Sequence, residues 1–211
     1  MDRARISSLL APFADVSDRQ LNKISTYIDI LIRWNARTNL TSVRNPDEMV
    51  TRHFGESLFA ARHLLAPDSQ VTVIDVGSGA GFPGLPLKIW APAIRLTLIE
   101  SQHKKATFLR EAVRAITLID VNVFSGRAEE FPSRADLVTL RAVERFDQIA
   151  PVAARLVSPG GCLALLIGSG QVRRAHELLP QLGWSGAVPM PQAQERALLT
   201  GTYRASNESA L

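Results

Sequence analysis

Apolar positions in the first third of the chain recur every three or four residues, the period of a helix with one buried face. Leu21, Ile24, Ile28, Leu31 and Asn35 form the longest such stripe, and Ser17 with Gln20 supplies a capping box at its start. Trp34 extends that face and reads as a packing residue. A shorter helix is predicted over Arg3 to Leu10, stopped near Pro12. Asn45, Pro46 and Glu48 mark another start, with proline in the first turn and glutamate three residues after the cap. Arg52 and His53 fall on this helix, Gly55 is a place where it can bend, and Leu58 to Leu65 continues it until Pro67. These stripes need a partner, so residues 1–66 are predicted to be a helical extension packed on the remainder, 67–211.

Beyond Pro67 the pattern changes to short apolar runs that alternate with helical stripes. Val71, Val73 and Ile74 predict a buried strand ended by Asp75. Arg95 to Glu100, Asp120 to Phe124, Ala135 to Leu140 and Cys162 to Ile167 predict four more, and Trp184 to Val188 and Ala197 to Tyr203 complete seven. Helices are predicted from Leu85, after Ser101 as a cap, over Glu144 to Val157 and over Val172 to Leu182. Ser158 to Gly161 reads as a turn, and Gly168 to Gly170 as a sharp exit from the fifth strand. Strands alternating with helices predict an α/β fold, a doubly wound, mostly parallel seven-stranded sheet with one antiparallel strand near its end.

The stretch Val71 to Gly84 joins the first strand to its helix through Gly77, Gly79 and Gly81. Glycines at alternate positions let the backbone turn tightly and leave no Cβ between it and a ligand, and a helix N-terminus offers unpaired amides. Two glycine readings overlap here. From Gly79 the run GAGFPG fits a dinucleotide pattern, which sets a pyrophosphate on the helix. From Asp75 the run DVGSGAG has an acid two residues before the first glycine, the arrangement of S-adenosylmethionine methyltransferases. The phase favours the second, because Gly79 begins four residues beyond Asp75 and Pro83 fills the last gap. Leu85 after Gly84, where a P-loop needs lysine, disfavours a nucleoside triphosphate.

Other candidates sit at strand ends. Glu100, closing the second strand, can accept both hydrogen bonds of a ribose diol or be an ordinary strand-end charge. Ala128 and Glu129 follow the third strand and can meet an adenine edge or lie on the surface. Lys104 and Lys105 suit approaching phosphate or are two solvated lysines. Arg141 ends the fourth strand, across the cleft from the glycine turn.

Composition narrows the classes. Formal net charge is +4, and 20 of the 24 basic residues are arginine, a residue that forks onto phosphate and stacks on bases; nucleic acid is allowed as a partner without being required. Cys162 is the only cysteine, so neither an internal disulfide nor a cysteine-cluster metal site is possible, and His53, His63, His103 and His176 have no zinc-like spacing. No metal is expected. Neither a secretory leader nor an apolar run of membrane-spanning length is read, which predicts a cytoplasmic protein away from the membrane. The oligomeric state is left open, with a monomer as the working expectation.

If the site transfers methyl groups, the acceptor can be narrowed. Cys162 lies inside a predicted strand and reads as a small core residue, not a nucleophile for an aromatic carbon. After the fourth strand LRAVERF stands where exocyclic-amine enzymes carry an Asn-Pro-Pro-Tyr segment. A ring nitrogen such as guanine N7 needs no base, which is compatible with this chain.

The set NLTSVR at 39–44, RHF at 52–54, DVGSGAGFPGLPL at 75–87, RAEEFP at 127–132 and LRAV at 140–143 resembles the bacterial small-subunit rRNA guanine-N7 methyltransferases. The resemblance covers nearly the whole chain. It implies a class I S-adenosylmethionine-dependent methyltransferase fold and methylation of one guanosine, position 527, in the 530 loop of 16S rRNA, free or within an assembling small ribosomal subunit. It also implies that Gly77, Phe82, Ala128, Glu129 and Arg141 are cofactor contacts, with Glu100 in the ribose-binding role. The chain departs from the family at Ile167-Gly168, where a lysine-glycine pair is common. Arg173 or Arg174 is the expected substitute for that lysine.

Overall fold

The computed structural model describes residues 1–142 and 145–203. Four helices come first: α1 (Arg3–Leu10), α2 (Asp18–Asn35), α3 (Pro46–Met49) and α4 (Glu56–Leu64), with a π-helical turn over Val50–Gly55 between the last two. The capping box is present: Ser17 accepts from the Gln20 amide while the Gln20 side chain accepts from the Ser17 amide. Asn45 caps α3 by accepting from the Asp47 and Glu48 amides.

The sheet and its helices follow as β1 (Thr72–Val76), α5 (Gly84–Trp90), β2 (Arg95–Ile99), α6 (His103–Ala115), β3 (Val121–Phe124), β4 (Ala135–Arg141), α7 (Phe146–Arg155), β5 (Val157–Gly168), α8 (Val172–Leu178), β6 (Leu182–Trp184), β7 (Val188–Pro189) and β8 (Arg196–Tyr203). The order across the sheet is β3-β2-β1-β4-β5-β8-β6, with β7 also on β8. The first five strands pair in parallel, and β8 inserts antiparallel against β5. Alternation sends Val73, Leu137, Ala164 and Leu166 into one core and Ile74, Val138, Leu163 and Leu165 into another. Both faces are buried, which is why these strands read as continuous apolar runs. Helices α1, α2 and α4 share the first core with α5 and α6, whereas α7 and α8 cover the second.

Several boundaries differ from expectation for physical reasons. Among the described residues eight strands are present, because the candidate at 184–188 resolves into β6 and β7, each pairing with β8. Helix α8 stops at Leu178 because Pro180 drives the residue before it out of helical conformation. The expected turn at 158–161 lies inside β5, which slips its register against β4 between Ala135 and Leu137. Strand β1 continues past Asp75 to Val76. Ser101 does not cap α6; Gln102 holds that position, and its amide donates to Glu100 Oε1. The predicted start of α7 at Glu144 lies outside the described residues.

Candidate functional site

The C-terminal ends of β1, β2, β4 and β5 open onto a cavity of about 580 Å³, within the ~300–1,000 Å³ of small-molecule sites. Gly77, Gly79 and Gly81 form its glycine loop with φ of 67°, 55° and 87°, a left-handed conformation that side chains other than glycine rarely adopt. At Gly81 a Cβ would run into the Tyr27 hydroxyl and Leu85. The loop is tied down by the Ser78 amide on Ile99 O at 3.0 Å and by the Gly79 amide on Glu100 Oε2 at 2.9 Å. Glu100 is buried at the end of β2 with one backbone amide on each oxygen. Every carboxylate oxygen has a further lone pair, so a ribose diol can still be received.

The amides at the start of α5 are not open to a ligand. Asp75, fully buried, accepts from Thr139 Oγ1 at 2.7 Å and from the Gly84 amide, the first of α5, at 3.3 Å. A Cβ on Gly84 would lie 2.8 Å from Asp75 Oδ2, so glycine is what lets the helix approach the strand this closely. Burial raises the Asp75 carboxyl to about 6. A carboxylate beneath this helix opposes a pyrophosphate, which decides the overlapping glycine readings against a dinucleotide.

Against the glycine loop stands an aromatic stack. Phe82 lies between Tyr27, centroids 5.4 Å apart and 9° from parallel, and His53, at 4.9 Å and 23°. Phe54 meets it edge-on at 5.0 Å. Tyr27 donates to Ala80 O and so joins α2 to the glycine loop. His53 Nε2 is 2.7 Å from Thr41 Oγ1, and its Nδ1 is 3.4 Å from Arg141 Nη2. Burial, then the charges of Arg141, Arg52 and Arg196, push the imidazole down to about 3, so it is neutral.

Arg141 reaches toward α4. Its Nη2 donates to Arg52 O and to Glu56 Oε2 at 3.2 Å, and its guanidinium carbon lies 5.9 Å above the Phe82 ring. Glu56 is 2% exposed and also accepts from Arg196 Nε at 2.7 Å. One buried carboxylate therefore holds two guanidiniums, leaving an excess positive charge at the rim.

Of the predicted site residues, the cavity brings together Gly77, Phe82, Glu100 and Arg141, with Arg52, His53 and Lys105 beside them. Ala128 and Glu129 begin a 3-10 turn after β3 and do not line this cavity; Ala128 is buried in the second core and Glu129 is exposed. Lys104 is exposed outside the cavity. Trp34 packs edge-on against Phe108 at 5.7 Å, and the half-buried Cys162 thiol is raised to about 11 by burial, unsuited to nucleophilic work. Arg173 and Arg174 do not reach the cavity: they sit on α8 and pair with Glu177, Arg174 also with Asp147. The cation on this side is Arg196, directly across from Gly168 in the β5–β8 register. Sequence reasoning missed Arg196, Thr41, Tyr27 and Glu56. Glu56 left a signal as an acid ahead of the apolar run SLFAA, and Thr41 left one by its place in NLTSVR.

A family model described as GidB, rRNA small subunit methyltransferase G, matches residues 20–188. The ribosomal RNA small subunit methyltransferase G of Exiguobacterium sp. is 40% identical over 167 residues, covering 76% of this chain and 70% of that protein. The protein of the same name from Stenotrophomonas maltophilia is 40% identical over 185 residues, covering 83% and 84%. Among solved structures, a SAM dependent methyltransferase from Aquifex aeolicus has a TM-score of 0.64 over 79% of this chain and 98% of its own, at 15% identity, a likeness of fold. With the sheet order and glycine loop already in place, these matches establish that the chain belongs to the rRNA small subunit methyltransferase G family.

Proposed function

We propose that the protein transfers a methyl group from S-adenosylmethionine to N7 of guanosine 527 in the 530 loop of 16S rRNA. Its partner is then 16S rRNA or a small ribosomal subunit assembly particle, met in the cytoplasm. Family membership supports the rRNA methyltransferase class. The cavity supports the cofactor: a left-handed glycine loop faces a strand-end glutamate, and no pyrophosphate site opens on α5. When bound, S-adenosylmethionine supplies a methyl group made electrophilic by its sulfonium. Gly77 and Gly79 let the backbone lie against it, and Glu100 receives the ribose hydroxyls. Phe82 and Arg141 remain proposed contacts on the cavity wall, and Ala128 and Glu129 proposed contacts beyond its edge.

The observation that carries the ring-nitrogen assignment is that the acids and the imidazole at this cavity are already engaged. Glu100 holds two backbone amides, Glu56 two arginines, Asp75 the start of α5, and the neutral His53 lies between Arg141 and Thr41. Among the described residues that line the cavity, no acid or imidazole is without such a partner. N7 of guanine carries a lone pair and no proton, so it forms its bond to the methyl as the sulfur–carbon bond breaks, with no proton to remove. What the chain must supply is alignment. Arg52 and Arg196, with side chains 43% and 36% exposed, and Lys105 offer charge for the RNA backbone at the rim.

The test is methyl transfer from radiolabelled cofactor to unmodified 16S rRNA and to small subunits, mapped by N7-specific strand cleavage. Label at guanosine 527 in either substrate is expected. Label at a cytosine carbon or an exocyclic nitrogen would overturn the chemical assignment.

A further inference from the structure

The hydrogen bonds around Thr41 have a direction. The two Nη2 hydrogens of Arg141 go to Arg52 O and Glu56 Oε2, and a guanidinium nitrogen standing 3.4 Å from His53 Nδ1 opposes an N–H there, so Nδ1 keeps its lone pair. A neutral imidazole has one proton, which then sits on Nε2 and is donated to Thr41 Oγ1. The same oxygen accepts the Val43 amide at 3.1 Å. A hydroxyl has two lone pairs and one proton. Both lone pairs of Thr41 are in use, its proton meets no acceptor among the described residues, and Thr41 lines the cavity. Toward a substrate this hydroxyl can only donate.

We propose that Thr41 is a specificity-determining residue that donates its hydroxyl hydrogen to O6 of the target guanine. The proposal rests on the reading of the protein as a guanine-N7 methyltransferase. O6 and N7 are neighbouring acceptors on one edge of guanine, and a single donor held at O6 leaves N7 free to attack. Adenine presents an amino group where guanine has O6, so a hydroxyl barred from accepting meets donor with donor and rejects it. Phosphate is the poorer target for this group, because Arg52, Lys105 and Arg196 already provide charge at the same rim, and a neutral hydroxyl adds little beside guanidiniums. Arg141 is then a positioning residue: its Nη2 is held by Glu56 and Arg52 O, and it sets the polarity of Thr41 through His53.

The experiment compares 16S rRNA carrying guanosine, inosine or 2,6-diaminopurine at the target position, with single-turnover methyl transfer as the readout. Inosine keeps O6 and N7; diaminopurine keeps N7 and replaces O6 with an amine. Wild-type protein should favour guanosine and inosine over diaminopurine by at least about tenfold. Thr41→Val should lose about tenfold on guanosine and inosine and nothing on diaminopurine, so that discrimination collapses, with cofactor affinity by calorimetry unchanged. Thr41→Ser, which keeps the hydroxyl, should retain the discrimination. An equal loss on all three RNAs would place the hydroxyl against phosphate or in folding alone and overturn the proposal. Failure of the wild-type protein to methylate N7 in the guanosine RNA is a separate result, and it removes the underlying reading as well.

Discussion

His53 and Asp75 are buried within one site, yet their effects on acid stability have opposite signs. His53 is depressed from its ordinary 6.5 to about 3, so between those values the unfolded chain holds a proton that the folded chain excludes. Its contribution is complete above pH 6.5 and is lost as pH falls toward 3. Asp75 is raised from 3.8 to about 6, so the folded chain holds the extra proton, and stability is lost as pH rises through that window. Between about pH 4 and 6 the two slopes oppose each other, and the wild-type protein should show a flattened pH profile from this pair. Replacing His53 by glutamine removes one slope. The unfolding free energy of wild type minus His53→Gln, from urea titrations, should rise on the order of a few kcal/mol between pH 3.5 and 6.5. A difference constant with pH would mean that the imidazole is not held neutral. That His53 belongs to the site was readable from its place in RHF, but its neutrality was not. It follows first from burial and then from the charges of Arg141, Arg52 and Arg196, and Arg141 and Arg196 lie far along the chain and arrive through strand register.

Among the elements, the π-helical turn over Val50–Gly55 sets where the site residues point. It carries Arg52 and His53 toward the cavity and delivers Glu56 into the core at the start of α4. The wide turn ends at Gly55, whose backbone sits close to the Phe13 ring. A Cβ on Gly55 would fall 2.7 Å from the Phe13 ring, which is 1% exposed. Gly55→Ala is therefore expected to destabilise the protein by about 1–3 kcal/mol in urea unfolding, the usual cost of overpacking a core. Gly186→Ala, where the added carbon meets nothing within 4 Å, should be nearly neutral and serves as the comparison. Equal stability of the two variants would show that Phe13 yields easily. The helices on either side were legible because caps and three-to-four spacing are local signals. Only a bend at Gly55 could be read, since its packing partner Phe13 lies 42 residues earlier, in the turn between α1 and α2.

In the whole molecule, the sheet and its glycine loop were legible because doubly wound strands are apolar on both faces and their turns carry glycine. The cation opposite Gly168 was not: Arg196 reaches the cavity only because β8 inserts antiparallel beside β5, and a pairing register between distant segments leaves no local pattern. The same long-range logic bears on residues 1–66, which we propose to be part of the core and not a separable domain. Tyr27, Leu31 and Phe54 share one apolar cluster with Leu85, Leu87, Phe108 and Leu109 across that boundary. Tyr27 also closes the glycine loop through Ala80 O, and Glu56 neutralises the buried Arg141. Residues 67–211 produced alone would expose the apolar faces of α5 and α6 and leave Arg141 without its carboxylate. Breaking a buried ion pair by removing one partner costs about 3–5 kcal/mol, comparable with the net stability of a small domain. The fragment should therefore keep far-UV helical signal but lose near-UV dichroism, bind a hydrophobic dye and unfold without a cooperative transition. If residues 67–211 instead unfold cooperatively and bind S-adenosylmethionine as tightly as the full chain, the extension is a separate domain and the shared core is not what supports the site.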